Sequence, residues 1–270
     1  MCSHLERGSD SDSESTANQQ QYTIKMETGS KPKAEETPNL PENKRYSEQQ
    51  YWDDRFAKES QYEWLASYPQ IKSEITPFIE KDAKILILGC GNSPFSFDLY
   101  NDGYKNITNI DYSANVIENM INKDKDMYGG TEPMMTWKVV NMIHMDEFSN
   151  ESFDVVVDKA GIDAILTNEG DVWNPNEQVI EDVFQVCSHI SRMLSNNGYF
   201  LSVSFMQPHF RKKYFLDMHQ RSRENDDGAR NSTKNGLDFC NEYQWSLTYS
   251  ETGDGTSGFP NYLYIMQKNC

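Results

Sequence analysis

The stretch that decides the fold is Ile85-Leu86-Ile87-Leu88-Gly89-Cys90-Gly91-Asn92-Ser93, an apolar run that ends in two glycines one residue apart. Lys84–Leu88 is apolar after its first residue without alternation, which predicts a buried parallel strand. Gly89 and Gly91 can adopt positive φ and carry no Cβ, so a ligand can approach their backbone. Ser93-Pro94 is typical of a helix start. The stretch therefore predicts the strand, turn and helix of a nucleotide-type site.

A second strand is predicted at Asn106–Ile110, and Asp111 follows it directly. Asp111 lies 22 residues after Gly89, close to the roughly 20-residue offset at which an acid accepts hydrogen bonds from a ribose. Pro94 stands where a dinucleotide motif would have its third glycine, which disfavours an NAD dehydrogenase. S-adenosylmethionine has no pyrophosphate and does not need that glycine. The spacing therefore predicts an adenosine cofactor, with S-adenosylmethionine favoured.

Strands and helices are predicted to alternate along the rest of the chain. Helices are expected over 71–80 and 177–194, and Asn197-Gly198 is expected to end the second of these in a left-handed cap. Further strands are expected at Met134–Val140, Phe153–Val157, Tyr199–Phe205, Tyr243–Tyr249 and Asn261–Gln267. This order predicts an α/β fold: a doubly wound, Rossmann-like sheet, mostly parallel, with an antiparallel hairpin at its edge.

Polar residues follow the predicted strands where ligands bind in such sheets, outside the carboxyl ends. Asn141 follows the third strand, and Asp158-Lys159 ends the fourth. Asn141 could pair with an adenine edge. Asp158 could hold the amino group of a methionine moiety or offset a sulfonium charge. The structural alternative for Asp158 is a salt bridge, for example with Lys159.

An aromatic-rich segment precedes the first strand. Trp52, Phe56 and Trp64 could form a lid over the cofactor, because aromatic faces attract a sulfonium cation. The alternative is that these rings only pack a helix onto the sheet. The residue types alone favour packing.

Composition and charge exclude several classes of function. The 270 residues carry a formal charge of −17 and a pI of about 4.7, which disfavours direct binding to nucleic acid and favours a basic partner. The five cysteines are scattered and lack metal-ligand spacing, so no metal site is predicted. No signal peptide or membrane-spanning run is apparent, and we expect a cytoplasmic protein that binds no membrane.

The chain divides by composition into a tail and one domain. Residues 1–43 are polar and are predicted to be disordered. Residues 44–270 are predicted to form a single domain with a mobile insertion at about 221–241. The glycine-rich loop over 251–258 could gate a substrate or simply connect two strands.

Several motifs taken together are specific for one family. They are Tyr51-Trp52-Asp53, Tyr62-Glu63-Trp64, Gly89-Cys90-Gly91-Asn92-Ser93, Ile110-Asp111-Tyr112-Ser113, Phe153–Lys159 and Asp163-Ala164. With them, residues 44–268 resemble the seven-strand, S-adenosylmethionine-dependent methyltransferases. More narrowly, the chain is similar to the protein-lysine methyltransferases that modify translation elongation factor 1-alpha, which implies a basic protein substrate.

The resemblance implies a role for each candidate site residue. The cofactor would be covered by Trp52, Phe56 and Trp64, and its methionine part would lie above Gly89 and Gly91. Asp111 would bind the ribose, and the adenine would lie beside Tyr112 and be flanked by Val140 and Asn141. The opening through which the methyl group is transferred would be lined by Asp158 and Lys159. The family usually has Asp at position 141. It also has the sequence Gly-Thr-Leu-Asp after Lys159, where this chain has Ala160-Gly161-Ile162-Asp163.

The implied reaction is in-line attack of a neutral lysine amine on an activated methyl group. Orientation and desolvation of the amine should supply much of the acceleration. Asp163 and His209 are candidates for moving the lysine proton, although structural roles are favoured for both, and no catalytic residue is assigned. Two alternatives stay open: a methyltransferase with a small-molecule acceptor, and a non-catalytic interaction protein that keeps the fold.

Overall fold

The computed structural model describes most of the chain, namely residues 42–216, 232–234, 237–240, 242–252 and 260–269. The predicted disorder of residues 1–43 and the gating role of the 251–258 loop concern segments that lie almost wholly outside the described residues. Both therefore stay predictions.

One mixed sheet organises the described residues. Its strands are β1 (Lys84–Leu88), β2 (Asn106–Asp111), β3 (Thr136–Val139), β4 (Phe153–Lys159), β7 (Leu194–Ser204), β8 (Ser232–Lys234), β9 (Leu237–Cys240), β10 (Trp245–Thr252) and β11 (Asn261–Lys268), while β5 (Gly170–Asp171) and β6 (Asn174–Pro175) form a separate small hairpin. The sheet order is β3-β2-β1-β4-β7-β11-β10-β9-β8.

The strand directions confirm the predicted Rossmann-like sheet. The five strands from β3 to β7 run parallel, and β11, β10, β9 and β8 continue the sheet with antiparallel pairing. The antiparallel edge is longer than predicted, because β8 and β9 add a second hairpin within the insertion at about 221–241. The mobility predicted for that insertion stays a prediction.

The helices that the structure describes cover both faces of the sheet. They are α1 (Gln49–Phe56), α2 (Tyr68–Ile75), α3 (Phe95–Asn101), α4 (Ala114–Tyr128), α5 (Gly161–Leu166), α6 (Glu177–Met193) and α7 (Pro208–Leu216). None of these helices has the length and apolarity needed to span a bilayer.

The central strand β1 is buried because alternate side chains enter two different cores. Leu86 and Leu88 pack in the core beneath α6, while Ile85 and Ile87 pack in the core beneath α3 and α4. Strand pairing on both sides places the end of β1 in the middle of the sheet. The glycine turn that follows it therefore opens at the centre of the ligand-binding edge.

The helix predicted over 71–80 begins and ends earlier in the structure. It spans Tyr68–Ile75 and continues as a single 3-10 turn over Thr76–Phe78. Pro77 explains the end, because proline lacks an N–H donor and disfavours helical geometry in the residue before it. Ser67 and Gln70 form a reciprocal capping box at the start.

The expected helix cap at Asn197-Gly198 is wrong. Helix α6 ends at Met193, and Leu194 already has extended backbone angles that begin β7. Asn197 does adopt a positive φ of 64°, but within the strand, where the register against β4 is irregular. The left-handed residue therefore makes a bulge in a strand instead of ending a helix.

Candidate active site

The glycine turn begins the candidate site at the end of β1. Gly89 and Gly91 have φ values of +52° and +51°, a region that glycine enters without strain. Cys90 N donates to Ile110 O at 2.9 Å, which fixes the turn against the end of β2. A Cβ on Gly89 would lie 3.0 Å from Met142 Cε. The backbone angle therefore favours glycine at that position, and a Cβ there would have to displace the Met142 methyl group.

Asp111 ends β2 beside this turn, as the spacing predicts. Its Oδ2 accepts a hydrogen bond from Gly91 N at 3.0 Å, and its Oδ1 accepts one from Ser113 N at 2.9 Å. Burial raises the pKa of the Asp111 carboxyl to about 6, while these two backbone donors act in the opposite direction. The carboxylate keeps further lone pairs for a ligand hydroxyl.

Three rings, which we call the aromatic wall, stand opposite the turn: Trp52, Phe56 and Trp64. Trp52 stacks on Phe56 with ring centres 5.6 Å apart and meets Trp64 edge-on at 5.7 Å. The Arg55 guanidinium lies 4.9 Å from the Trp64 ring centre, and Trp52 Nε1 donates to Tyr46 O at 2.7 Å. The rings are thus oriented by contacts beyond simple packing.

Lys159 fastens the aromatic wall to the end of β4. Its ammonium forms an ion pair with Glu63 and donates to Trp64 O at 2.8 Å. Glu63 also accepts a hydrogen bond from Ser93 Oγ at 2.9 Å. Burial lowers the pKa of Lys159, and Glu63 opposes that effect. One carboxylate therefore ties the wall, the glycine turn and β4 together.

The departure from the family sequence lies in the turn from β4 into α5. Ala160 takes a left-handed φ of 68°, the conformation that a glycine at this position would adopt without strain. At Gly161 a Cβ would lie 2.9 Å from Asp158 Oδ1 and 3.0 Å from Met142 Cε. The chain thus has alanine at a left-handed position and glycine where space is short.

These features surround one cavity of about 510 Å³. It reaches from the glycine turn and Asp111 to Glu169, Val172 and Phe205. The predicted site residues that line it are Trp52, Phe56, Trp64, Gly89, Gly91, Asp111, Tyr112 and Lys159.

Three predicted site residues do not line the cavity. Val140 is buried, and Asn141 is exposed with its Oδ1 accepting from Ile143 N at 3.0 Å. Asp158 is buried, and its Oδ2 accepts from Ser202 Oγ at 2.7 Å. The ion pair considered between Asp158 and Lys159 gives way to the Lys159–Glu63 pair.

The two residues considered for proton movement differ in position. Asp163 lines the cavity, but its Oδ1 accepts from Ser204 Oγ at 2.7 Å and forms an ion pair with the buried Arg211. His209 is exposed, outside the cavity lining, and its ring contacts Trp173. The structure thus places Asp163, and not His209, within reach of a bound molecule.

Similarity to known proteins identifies the family of this chain. Residues 79–246 match the model described as a methyltransferase domain. The chain is 32% identical over 235 residues to EEF1A lysine methyltransferase 4 of Mus musculus, covering 86% of this chain and 80% of that protein. The chain belongs to the eEF1A lysine methyltransferase family. Its motifs at the glycine turn and at the end of β4 are therefore those of a methyltransferase.

Other relatives match less of their own length or only the fold. The eEF1A lysine and N-terminal methyltransferase of Homo sapiens is 33% identical over 177 residues, which is 64% of this methyltransferase and 24% of that protein. The solved structure of the N-methyltransferase NodS from Bradyrhizobium japonicum is 13% identical, with 81% and 97% of the two chains covered and a TM-score of 0.49. The second likeness adds nothing to the family assignment.

S-adenosylmethionine is the cofactor of this methyltransferase, and the cavity fits it. Its volume lies within the range of about 300–1,000 Å³ for small-molecule sites. Among its lining residues are the buried carboxylate of Asp111, which can accept hydrogen bonds, and the rings of the aromatic wall, whose faces attract cations. Gly89 and Gly91 line the cavity, so a ligand in it can lie against bare backbone.

Sequence reasoning missed several residues of the methyltransferase site. Glu63 belongs to one of the family motifs, but no local sequence pattern predicts its ion pair with Lys159, which lies 96 residues further along the chain. Glu169 and Val172 were missed together with the β5–β6 hairpin. A signal for that hairpin does exist: the turn-forming residues Gly170-Asp171 and Asn174-Pro175, which make up its two short strands, lie on either side of its tip.

Proposed function

We propose that this chain transfers a methyl group from S-adenosylmethionine to a lysine side chain of eEF1A. The observation that carries the proposal is the continuous cavity, which joins the glycine turn and Asp111 at one end to an acidic, aromatic rim at the other. Relatives named as eEF1A lysine methyltransferases, 32–33% identical to this chain, support the choice of acceptor. The formal charge of −17 suits a basic protein substrate.

The proposed assignments for the cofactor follow the geometry of the cavity. Asp111 would accept from the ribose hydroxyls, with Tyr112 beside the adenine, and the glycine turn would lie under the methionine part. The aromatic wall and Lys159 would close that end of the cavity. Val140 and Asn141 would flank the adenine only from the outside, because neither lines the cavity.

Bound S-adenosylmethionine would supply a methyl group activated by a positively charged sulfur. The chain's own contribution is then to bind, orient and desolvate the two reactants. The aromatic wall would exclude water from the cofactor side. Asp163, held by Ser204 and Arg211, would present a fixed carboxylate near the path of the amine. Asp158 would act indirectly, because its Oδ1 accepts from Ile162 N at 3.0 Å and holds the start of α5.

The test is transfer of labelled methyl groups from S-adenosylmethionine to eEF1A produced in bacteria, followed by mass spectrometry of the modified lysine. We expect label on one lysine, and less label with Asp111→Asn when the cofactor is below saturation. Label in small molecules of a cytosolic extract but not in eEF1A would favour a small-molecule acceptor. Cofactor binding by calorimetry without any transfer would overturn the proposal and favour a non-catalytic role.

A further inference from the structure

The rim of the cavity carries two aromatic side chains that the chain does not bury. Trp173, at the tip of the β5–β6 hairpin, is 73% exposed, and Phe205 is 51% exposed. Trp173 is the most exposed of the large apolar side chains that the structure describes. Val172 and Phe205 both line the cavity. We call Trp173 and Phe205 the rim pair.

The hairpin that presents Trp173 is held firmly despite this exposure. Asn176 N donates to Glu169 O at 2.8 Å and closes its base, and Trp173 N donates to Asp171 Oδ1 at 2.9 Å. Lys213 Nζ also donates to Val172 O. These bonds fix the backbone of the tip, so Trp173 is presented to solvent in a defined position.

The Trp173 ring is also held in place by two aromatic side chains. It meets His209 edge-on at 5.4 Å and Phe210 at 5.9 Å between ring centres. Both contacts come from α7, so one face of the ring is supported while much of its surface stays exposed. An oriented and exposed tryptophan at the rim of a pocket is typical of a binding hot spot, because little conformational entropy is lost on contact.

Charges inside the rim select the kind of molecule that would pass. Glu169 is buried, lines the cavity and accepts from Tyr214 Oη at 2.6 Å. Asp163 also lines the cavity. The nearby cations are Arg211, which pairs with Asp163, and Lys213, whose pKa is lowered by burial and whose ammonium donates to Val172 O. Lys159 also lines the cavity, where it pairs with Glu63. Arg211 offsets the charge of Asp163, so Glu169 is the carboxylate along the path that favours entry of an ammonium group.

We infer that the rim pair is the docking surface for the segment of the protein substrate that carries the target lysine. The inference rests on the proposed function and goes beyond it by naming where the protein, as distinct from its lysine, is recognised. Apolar groups flanking the lysine would pack on Trp173 and Phe205. The lysine side chain would pass Glu169 on its way to the methyl group.

The test compares Trp173→Ala and Phe205→Ala with Met127→Ala, a control at an exposed apolar residue of α4 outside the cavity lining. We expect each rim variant to raise KM for eEF1A by about tenfold or more. Both kcat at saturating eEF1A and the cofactor Kd should stay within about twofold of wild type. A rim variant with unchanged KM and unchanged eEF1A binding would overturn the docking surface.

A binding measurement separates failure of this inference from failure of the proposed function. The Kd for eEF1A is measured by interferometry with S-adenosylhomocysteine present, so no turnover is needed. If Trp173→Ala binds eEF1A about tenfold more weakly than wild type, the docking surface is supported. If both proteins bind eEF1A equally well, the docking surface is refuted and the proposed function is not. If wild type neither binds nor methylates eEF1A, both proposals fall together.

Discussion

At Asp111, burial and hydrogen bonding act in opposite directions, and burial prevails. The carboxyl is buried at the end of β2, and its pKa rises to about 6 despite bonds from Gly91 N and Ser113 N. In the binding mode proposed above, a ribose hydroxyl donates to the ionised carboxylate, and the protonated form is the weaker acceptor. The affinity for cofactor should therefore depend on pH within the range in which the enzyme is assayed.

We expect cofactor Kd to be constant above about pH 7 and to rise as the pH falls through about 6, where Asp111 takes up a proton. Asp111→Asn should weaken binding by about 1–3 kcal/mol and remove that pH dependence. Calorimetry from about pH 8 to about pH 5 measures both effects, with the exposed Asp146→Asn as the control. A pH profile that Asp111→Asn leaves intact would show that another group titrates.

The turn after β4 offers a pair of opposite substitutions. Ala160→Gly should raise the free energy of unfolding by about 0.5–1 kcal/mol, because the left-handed strain it relieves exceeds the added flexibility of glycine. Gly161→Ala should lower it by about 1–3 kcal/mol, because its Cβ would crowd Asp158 Oδ1 and Met142 Cε. Chemical denaturation measures both. Stabilisation by the second change would mean that Asp158 and Met142 do not crowd position 161.

Single residues were predictable where their partners lie close in sequence. The glycine turn and Asp111 belong to one strand–helix–strand unit, so their approach follows from the geometry of that unit. Asn141 was placed correctly after a strand, yet its side chain binds the neighbouring Ile143 N, a local competition that residue type alone does not decide. The Glu63–Lys159 ion pair joins residues that lie far apart in the sequence, so only the structure reveals it.

At the scale of elements, Lys159 of β4 holds the segment that carries Trp64 through its ion pair with Glu63 and its hydrogen bond to Trp64 O. Breaking a buried pair leaves the remaining ion uncompensated, which costs more than the pair contributes. Lys159 is that remaining ion, with a side chain only 7% exposed. The position of Trp64 over the cavity thus depends on Glu63.

Glu63→Gln should lower the free energy of unfolding by about 2 kcal/mol while keeping a group that can accept from Ser93 Oγ. Amide exchange in residues 60–66 should quicken, and exchange in β4 should not. Because burial lowers the pKa of Lys159, the loss should shrink at high pH, where the amine becomes neutral. Glu118→Gln on the exposed face of α4 is the control. If it lowers the free energy of unfolding by the same amount, the Glu63–Lys159 pair does not stabilise this segment.

Element boundaries were the weaker part of the prediction, and the reason is local. Asn197-Gly198 suits a helix end, and the structure does place Asn197 in the left-handed region. Pairing of β7 with β4 begins at Leu194, so Asn197 and Gly198 belong to the strand and the helix ends before them. Local preference fixed the backbone angle of Asn197, and tertiary pairing decided which element it belongs to.

At the scale of the whole molecule, charge should govern how fast a basic substrate arrives. The formal charge of −17 gives a long-range field that draws cations, and salt screens it over about 10 Å at 0.1 M ionic strength. Contacts at the rim pair are apolar and respond little to salt. Long-range attraction and docking should therefore be separable.

We expect kcat/KM for eEF1A to fall by about tenfold between about 50 mM and about 500 mM NaCl, with kcat nearly unchanged, because salt slows encounter but not transfer. Trp173→Ala should keep the same relative salt dependence at a lower kcat/KM, since its loss is in short-range contact. Initial-rate measurements at several salt concentrations decide this. A flat salt profile for wild type would mean that the negative charge lies away from the face that meets the substrate.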